Sequence, residues 1–311
     1  MQVKILGSAA GGGFPQWNCV CPNCRSLRGG AFRGKARTQA QLAISADSQH
    51  WYLLGVSPDL RTQIESTPEL HPQPSDSNTR HSPISGAVLL NADIDHVLGL
   101  LLMRELQPLR VYSSNSVCQI IRDNPMFSML QRVDGQLSWI PFSPNEWFAL
   151  HSPSHNQVAV RCRTVSLGTH FPAYVPEKRI SHLNPKEASL GLLVEAPSGK
   201  RLAFMPAVPQ ITDELSSELN RTDVLLFDGT FWSNDELIRI QGSGQTARQM
   251  GHVPVSSPTG SLAQLAHLNR PRKIYIHINN TNPMLNEDSP EYRQVRDAGW
   301  EIAEDGWQFE L

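Results

Sequence analysis

A layered α/β fold, with mixed β-sheets inside and helices outside, is the architecture this sequence predicts. Three observations predict it. Many short β-type runs are separated by Gly and Pro, with few helical stretches between them. The rhythm of strands and helices in the first half returns in the second. Polar residues also recur where apolar runs end, at Asn91–His96, Asp228 and His277, and that strand edge is where layered α/β folds bind ligands. The 311 residues show no fixed-period repeat and no linker, so a single domain over 1–311 is expected.

The first strands are read at Val3–Leu6, Gln41–Ser45 and Trp51–Val56, where β-branched and aromatic residues cluster. Pro58–Ile64 reads as a turn entering a helix, and residues 66–83, rich in Pro, Ser, Asp and Asn, as an exposed connection. An apolar strand over 87–90 leads into a helix over about 95–106, and a strand near Val111–Tyr112 leads into a helix over 116–131. Strands follow at 139–142 and 158–162, then at 191–195, 201–205, 224–227 and 273–276, with an amphipathic helix over 261–268.

Composition narrows the function classes. The hydrophobic content of 40% and charged content of 18% are those of a soluble globular protein. A formal net charge of −2, from 27 basic and 29 acidic residues, gives no electrostatic reason for nucleic acid or an anionic membrane as partner. No apolar run approaches the roughly 20 residues needed to span a bilayer. The N-terminus reads as a strand rather than a signal peptide, so a cytoplasmic location is expected.

The five cysteines are unevenly placed: Cys19, Cys21 and Cys24 form C-x-C-x-x-C. Three thiolates from one short loop can surround a zinc ion, and the preceding Gly11–Gly13 lets the chain turn tightly enough to gather them. A structural Zn2+ is expected there, with its fourth ligand open. Cys118 and Cys162 stand apart and read as small buried apolar residues.

Asn91-Ala92-Asp93-Ile94-Asp95-His96 is the most informative stretch. It has the outline of the H-x-H-x-D-H signature of metallo-β-lactamase-fold enzymes, with Asn91 and Asp93 in place of the first two His. Together with the thiolate loop and Val56–Arg61, it resembles proteins related to ribonuclease Z and the phosphonate-pathway cyclic phosphodiesterase. Ser8–Cys19, Asn91–His96 and His277–Pro283 most closely resemble the coenzyme PQQ synthesis protein B family, and the resemblance runs over essentially the whole chain.

That resemblance implies an αββα sandwich, two mixed β-sheets flanked by helices. It implies that Asp95, His96 and His277 are the retained metal ligands, with Asp93 as an additional ligand. The carboxylate that bridges two metals in dinuclear relatives belongs after the 201–205 strand, where this chain has Pro206-Ala207-Val208-Pro209. One carboxylate and two His with open positions are the ligand set of non-haem Fe(II) oxygenases, so Fe2+ is expected at this site.

His252 matches the position of a catalytic acid in the phosphodiesterase-type relatives, and Asp228 is read as a carboxylate orienting a ligand His; with Asp93 these are the expected catalytic residues. Asn280 stands where relatives with the thiolate loop carry a fourth, histidine ligand. His170 is the weaker match to a lost ligand, and Asp59 is read as organising the strand edge. Trp17 and the Phe231–Trp232 pair are read either as packing or as an aromatic wall for a substrate.

The family resemblance implies work in pyrroloquinoline quinone (PQQ) biosynthesis, with hydroxylation of the tyrosine ring of a Glu–Tyr precursor as the leading expectation. A non-catalytic carrier passing PQQ or its precursor toward the periplasm, and a residual hydrolase, are the alternatives. The expected partners are the peptide-derived precursor and a second copy in a homodimer, with no membrane insertion.

Overall fold

β-Branched and aromatic residues set most of the strands. The computed structural model describes residues 1–73, 79–151 and 158–311, so the 66–83 connection lies partly outside the described residues. In chain order the strands are β1 (Gln2–Gly7), β2 (Gln41–Ser45), β3 (Trp51–Leu54), β4 (Ile84–Leu89), β5 (Leu109–Ser113), β6 (Leu137–Pro141), β7 (Trp147–His151), β8 (Val158–Gly168), β9 (Ser189–Glu195), β10 (Arg201–Met205), β11 (Val224–Asp228), β12 (Arg272–Ile276), β13 (Trp300–Ile302) and β14 (Gln308–Glu310). The helices are α1 (Pro22–Arg28), α2 (Leu60–Glu65), α3 (Ile94–Val97), α4 (Asn115–Arg122), α5 (Glu177–Ile180), α6 (Asp213–Leu219), α7 (Glu236–Gln241), α8 (Ser261–Gln264) and α9 (Pro290–Asp297).

The chain divides into two compact units, each built from separated segments. The first comprises Met1–Leu6, Gln41–Gly199 and Gly306–Leu311, and the second Gly7–Ala40 and Lys200–Asp305.

In the first unit a mixed sheet runs in the order β14-β1-β2-β3-β4-β5-β6. β1 pairs antiparallel with β14, and the Met1 amino group donates to the Leu311 carbonyl at 2.8 Å. β3, β4, β5 and β6 are parallel neighbours. All six residues of β4 are buried, as expected of a parallel strand covered on both faces. Trp51, Leu53, Ala87, Val111, Val117 and Leu130 belong to one buried cluster of this unit. β7, β8 and β9 form an antiparallel ladder in the same unit.

In the second unit β10, β11, β12 and β13 are parallel. Tyr275 stacks on Trp300 with ring centroids 4.1 Å apart, and Phe227 meets the same indole edge-on at 6.2 Å. The register pairs Asp228 with Ile276, so Asp228 and the following His277 emerge at one C-terminal sheet edge.

Three expected helices are shorter or broken. The 95–106 segment is α only over Ile94–Val97 and continues as a 3-10 helix over Leu98–Met103. The reason is tertiary: the Gly99 N–H donates to the Val56 carbonyl at 3.0 Å, and a Cβ at Gly99 would lie 2.2 Å from the Ser57 carbonyl oxygen. The 116–131 helix breaks because Pro125 lacks the N–H that would continue it; a 3-10 helix restarts at Pro125–Gln131 with the Asn124 side chain accepting from the Met126 N–H. The 261–268 helix stops at Gln264.

Candidate functional site

In the first unit the motif follows β4 directly. Asn91 is buried, and its Oδ1 accepts the Asp93 N–H at 3.1 Å. The Asp93 carbonyl accepts the His96 N–H at 2.9 Å, so Asn91 and Asp93 shape the turn that starts α3. His96 is buried, and its Nε2 lies 3.8 Å from Asp95 Oδ2. The neighbouring β3 end fits around this imidazole. Gly55 has φ +75°, and a Cβ there would stand 3.0 Å from His96 Nδ1, so only glycine suits both the backbone and the ring. The Val56 N–H donates to the His96 carbonyl at 2.7 Å.

The Tyr174 hydroxyl donates to the Ala92 carbonyl. Burial pushes the Tyr174 phenol up to about 12, with the Asp93 charge adding to the effect. Sequence reasoning missed Tyr174, which carries no motif. His170 is exposed just past β8, and Asp59 opens α2 with its N–H donating to Ser57 Oγ at 3.2 Å. Among the described residues, no clustered group of three ligand-type side chains contains His170 or Asp93.

In the second unit the edge of β11 and β12 holds a buried polar cluster. Asp228 is fully buried and accepts four hydrogen bonds. They come from the Val208 N–H at 2.8 Å, the Thr230 N–H at 3.0 Å, the Thr230 hydroxyl at 2.7 Å and His252 Nδ1 at 2.8 Å. An ionised carboxylate has about four lone-pair sites, so this set matches its full capacity. Val208 lies in the Pro206–Pro209 loop, which supplies a backbone donor to Asp228 and has no carboxylate of its own. His252 and His277 stack with ring centroids 5.4 Å apart. The Thr230 hydroxyl lies 2.8 Å from His277 Nδ1 and 3.1 Å from His252 Nδ1.

Asp228, His252 and His277 bring their ligand atoms within 4.8 Å of one another, yet the contacts are hydrogen bonds through Nδ1. For His252, whose Nδ1 faces a carboxylate oxygen, the proton belongs on Nδ1 and the lone pair on Nε2, which suits a carboxylate-oriented imidazole better than a cation among the three groups. Asp228 therefore reaches the site through His252. Phe231 is buried and meets His252 edge-on at 5.9 Å. His277 has φ +59°, a left-handed conformation that costs a non-glycine residue roughly 1–2 kcal/mol.

The thiolate loop lies in the same unit. Cys21 caps α1, its sulfur accepting the Cys24 N–H, and the Cys19 sulfur accepts the Cys21 N–H at 3.4 Å. The three sulfurs lie within 4.8 Å of one another, and Asn280 Nδ2 sits 3.2, 3.6 and 3.3 Å from Cys19, Cys21 and Cys24. The Asn280 side chain thus occupies the fourth corner. A half-turn of its amide would point Oδ1 at an ion bound by the sulfurs, and N/O assignment of an amide follows from its partners. Burial opposes ionisation of Cys19, but hydrogen bonds from Cys21, Cys24 and Asn280 outweigh it and hold the thiol below its ordinary value. Burial pushes Cys21 up to about 12, and the neighbouring Cys19 and Cys24 sulfurs add to this. Three sulfurs gathered within 4.8 Å of one another from one short loop are a donor set fitted to Zn2+.

Trp17 is 86% exposed, which corrects its reading as packing. Trp232 is partly buried, and its backbone N–H donates to Glu236 Oε2 at 2.6 Å.

A model of the β-lactamase superfamily domain matches residues 50–278. The chain is 40% identical over 311 residues to the coenzyme PQQ synthesis protein B of Methylobacterium sp. (strain 4-46), covering 100% of both. The chain belongs to the coenzyme PQQ synthesis protein B family. A further member, from Methylococcus capsulatus (strain ATCC 33009 / NCIMB 11132 / Bath), is 39% identical over 315 residues with 100% of both chains covered. The crystal structure of zinc-bound PqqB from Methylobacterium extorquens matches with a TM-score of 0.90 and 38% identity over 100% of both chains. A diphosphatase of the PhnP family, at TM-score 0.66 and 16% identity over 100% of this chain and 97% of that one, shares the fold. The layered α/β class with mixed sheets and flanking helices, expected from the sequence, is that of this family. A metal site is also in keeping with the zinc-bound relative, and no helix among the described residues is long and apolar enough to cross a membrane.

Proposed function

We infer that this protein works in PQQ biosynthesis, as a hydroxylase of the tyrosine ring of a Glu–Tyr precursor derived from a peptide. Asp95, His96 and His277 are the residues that would hold Fe(II), with Asp93 as an additional ligand. The observation that carries this reading is the donor set: two His and one carboxylate, with a backbone N–H where a bridging carboxylate would stand. Fe(II) bound by such a set supplies one-electron chemistry with O2.

The chain's own residues do the rest. Asp228 holds His252 through Nδ1, which leaves Nε2 as the basic nitrogen able to take the phenol proton. Phe231 closes one edge of that imidazole. Zn2+ on Cys19, Cys21 and Cys24, with Asn280 at the fourth corner, would hold the loop that precedes α1. The protein is proposed to act in the cytoplasm, and as a homodimer.

Anaerobic loading with Fe(II), addition of a Glu–Tyr substrate and reductant, and admission of O2 test the reading by mass spectrometry. The expected product carries added ring oxygen, with the second oxygen atom reduced to water. Unaltered substrate overturns it. Tight binding of PQQ without turnover would then favour a carrier, and phosphodiester cleavage with Mn2+ a hydrolase.

A further inference from the structure

The Thr230 hydroxyl touches every member of the buried cluster. It lies 2.7 Å from Asp228 Oδ1, 2.8 Å from His277 Nδ1, 3.1 Å from His252 Nδ1 and 2.9 Å from the His277 carbonyl. A hydroxyl has one proton and two lone pairs, so these contacts cannot all be made with Thr230 as donor. The shortest runs to a fully buried carboxylate, and a hydrogen bond to an ionised acceptor is the stronger kind. The His277 carbonyl can likewise only accept, so the hydroxyl proton is shared between it and Asp228 Oδ1, and neither imidazole receives it. The two lone pairs then face the two imidazoles, and each ring must bring an N–H. His252 shares its Nδ1–H between Thr230 and Asp228 Oδ2, which lies 2.8 Å away. His277 gives its Nδ1–H to Thr230.

We propose that Thr230 is the positioning residue that imposes one common tautomer, with the proton on Nδ1, on His252 and His277, and so presents Nε2 of His277 to a divalent cation. The cation part rests on the reading of His277 as a metal ligand; the tautomer part does not. The opposite tautomer would put a proton on the nitrogen that must bind metal. It would also leave the Thr230 proton divided between an imidazole and Asp228. The backbone adds to the case, because the Thr230 carbonyl accepts the Asn279 N–H at 3.0 Å and so couples the residue to the segment after His277. Nothing in the sequence motif marks Thr230, since its partners come from positions 228, 252 and 277.

The test compares Thr230→Val, which keeps shape and the backbone N–H, with Thr230→Ser, which keeps the hydroxyl. Nitrogen-15 NMR of the histidine rings in protein loaded at the thiolate site alone reads the tautomer. Cobalt(II) titration of the same protein reads the affinity of the second site. Thr230→Ser is expected to keep the Nδ1–H form and bind within about threefold of the parent, whereas Thr230→Val gives mixed tautomers and binds ~10–100-fold more weakly. A Thr230→Val protein that retains the Nδ1–H tautomer of His277 overturns the proposal, as does a Thr230→Ser protein as impaired as Thr230→Val. His277→Ala separates the two layers: if it binds cobalt as tightly as the parent, the metal reading of His277 fails, and the NMR result still decides the tautomer.

Discussion

The two polar clusters of the second unit meet burial in opposite ways. Asp228 accepts four hydrogen bonds from the chain itself, so that cluster is complete before any ion arrives. The thiolate cluster has weaker contacts: N–H···S from Asn280 at 3.2–3.6 Å and from the loop backbone, and the Cys21 thiol donating to the Asn280 carbonyl at 3.8 Å. Its thiols are pushed in opposite directions, Cys19 below and Cys21 above its ordinary value. The difference sets a thiolate centre, proposed above to depend on a cation for its structure, against a hydrogen-bonded centre that the chain completes by itself. Binding free energy at a site that does not exist unfolded is folding free energy; at a site already built, it is chiefly function.

The largest effect that would sharpen this comparison is expected from Cys21→Ser. Zinc content falls by one ion per chain and the thermal midpoint drops by about 10 °C or more, since each ~1 kcal/mol shifts a large domain by about 2–4 °C. A variant that loses zinc with an unchanged midpoint breaks the comparison. Asp228→Asn comes next. An amide offers one oxygen where four donors converge, so stability falls by about 3 kcal/mol in denaturant titrations, and turnover falls with it.

Glu236 links the thiolate side to pH. Its carboxylate is buried and accepts hydrogen bonds from the Trp232 N–H and from the hydroxyl of Thr281, the residue after Asn280. Burial pushes it up to about 7. A carboxyl whose folded value is raised stabilises fully below its unfolded value near 4.5, and that contribution is lost as pH rises through about 7. Glu236→Gln is therefore expected to flatten the fall in stability between about pH 5 and 8 by roughly 2 kcal/mol, measured by chemical denaturation at both ends. An unchanged slope removes Glu236 from the account.

Smaller still, Asn280→Ala should weaken zinc by about tenfold in chelator competition, as loss of one neutral ligand or of its supporting contact would. The smallest structural effect is expected from His277→Ala: the thiolate zinc stays, the second ion is lost, and the midpoint moves by less than about 4 °C. Loss of the thiolate zinc in that variant would show that the two centres are not independent.

Much of the fold was legible because strands announce themselves locally. Val224–Phe227 and Lys273–Ile276 are apolar, β-prone runs, and each ends within one residue of where it was read. The short 300–302 and 308–310 strands were missed because three residues carry too little pattern. The helix after His96 was overestimated because its backbone is set by the Val56–Ser57 turn, far away in sequence. At the sites, the cysteines were legible because all three lie in one loop. Thr230 and Tyr174 were not, since neither residue type implies a role without its partners.

By itself the sequence determined the inventory: three thiols in six residues, the Asp95–His96 pair after an apolar strand, and no carboxylate at 206–209. These are covalent facts, and ligand chemistry follows from residue type and spacing. Only the tertiary structure decided that Asp228 spends its lone pairs on Val208, Thr230 and His252, that one hydroxyl serves two imidazoles, and that Asn280 faces three sulfurs. Hydrogen bonds need partners within about 3 Å, and residues that stand 20 to 24 positions apart, as Val208, Asp228 and His252 do, reach that distance only when the folded chain brings them to one strand edge.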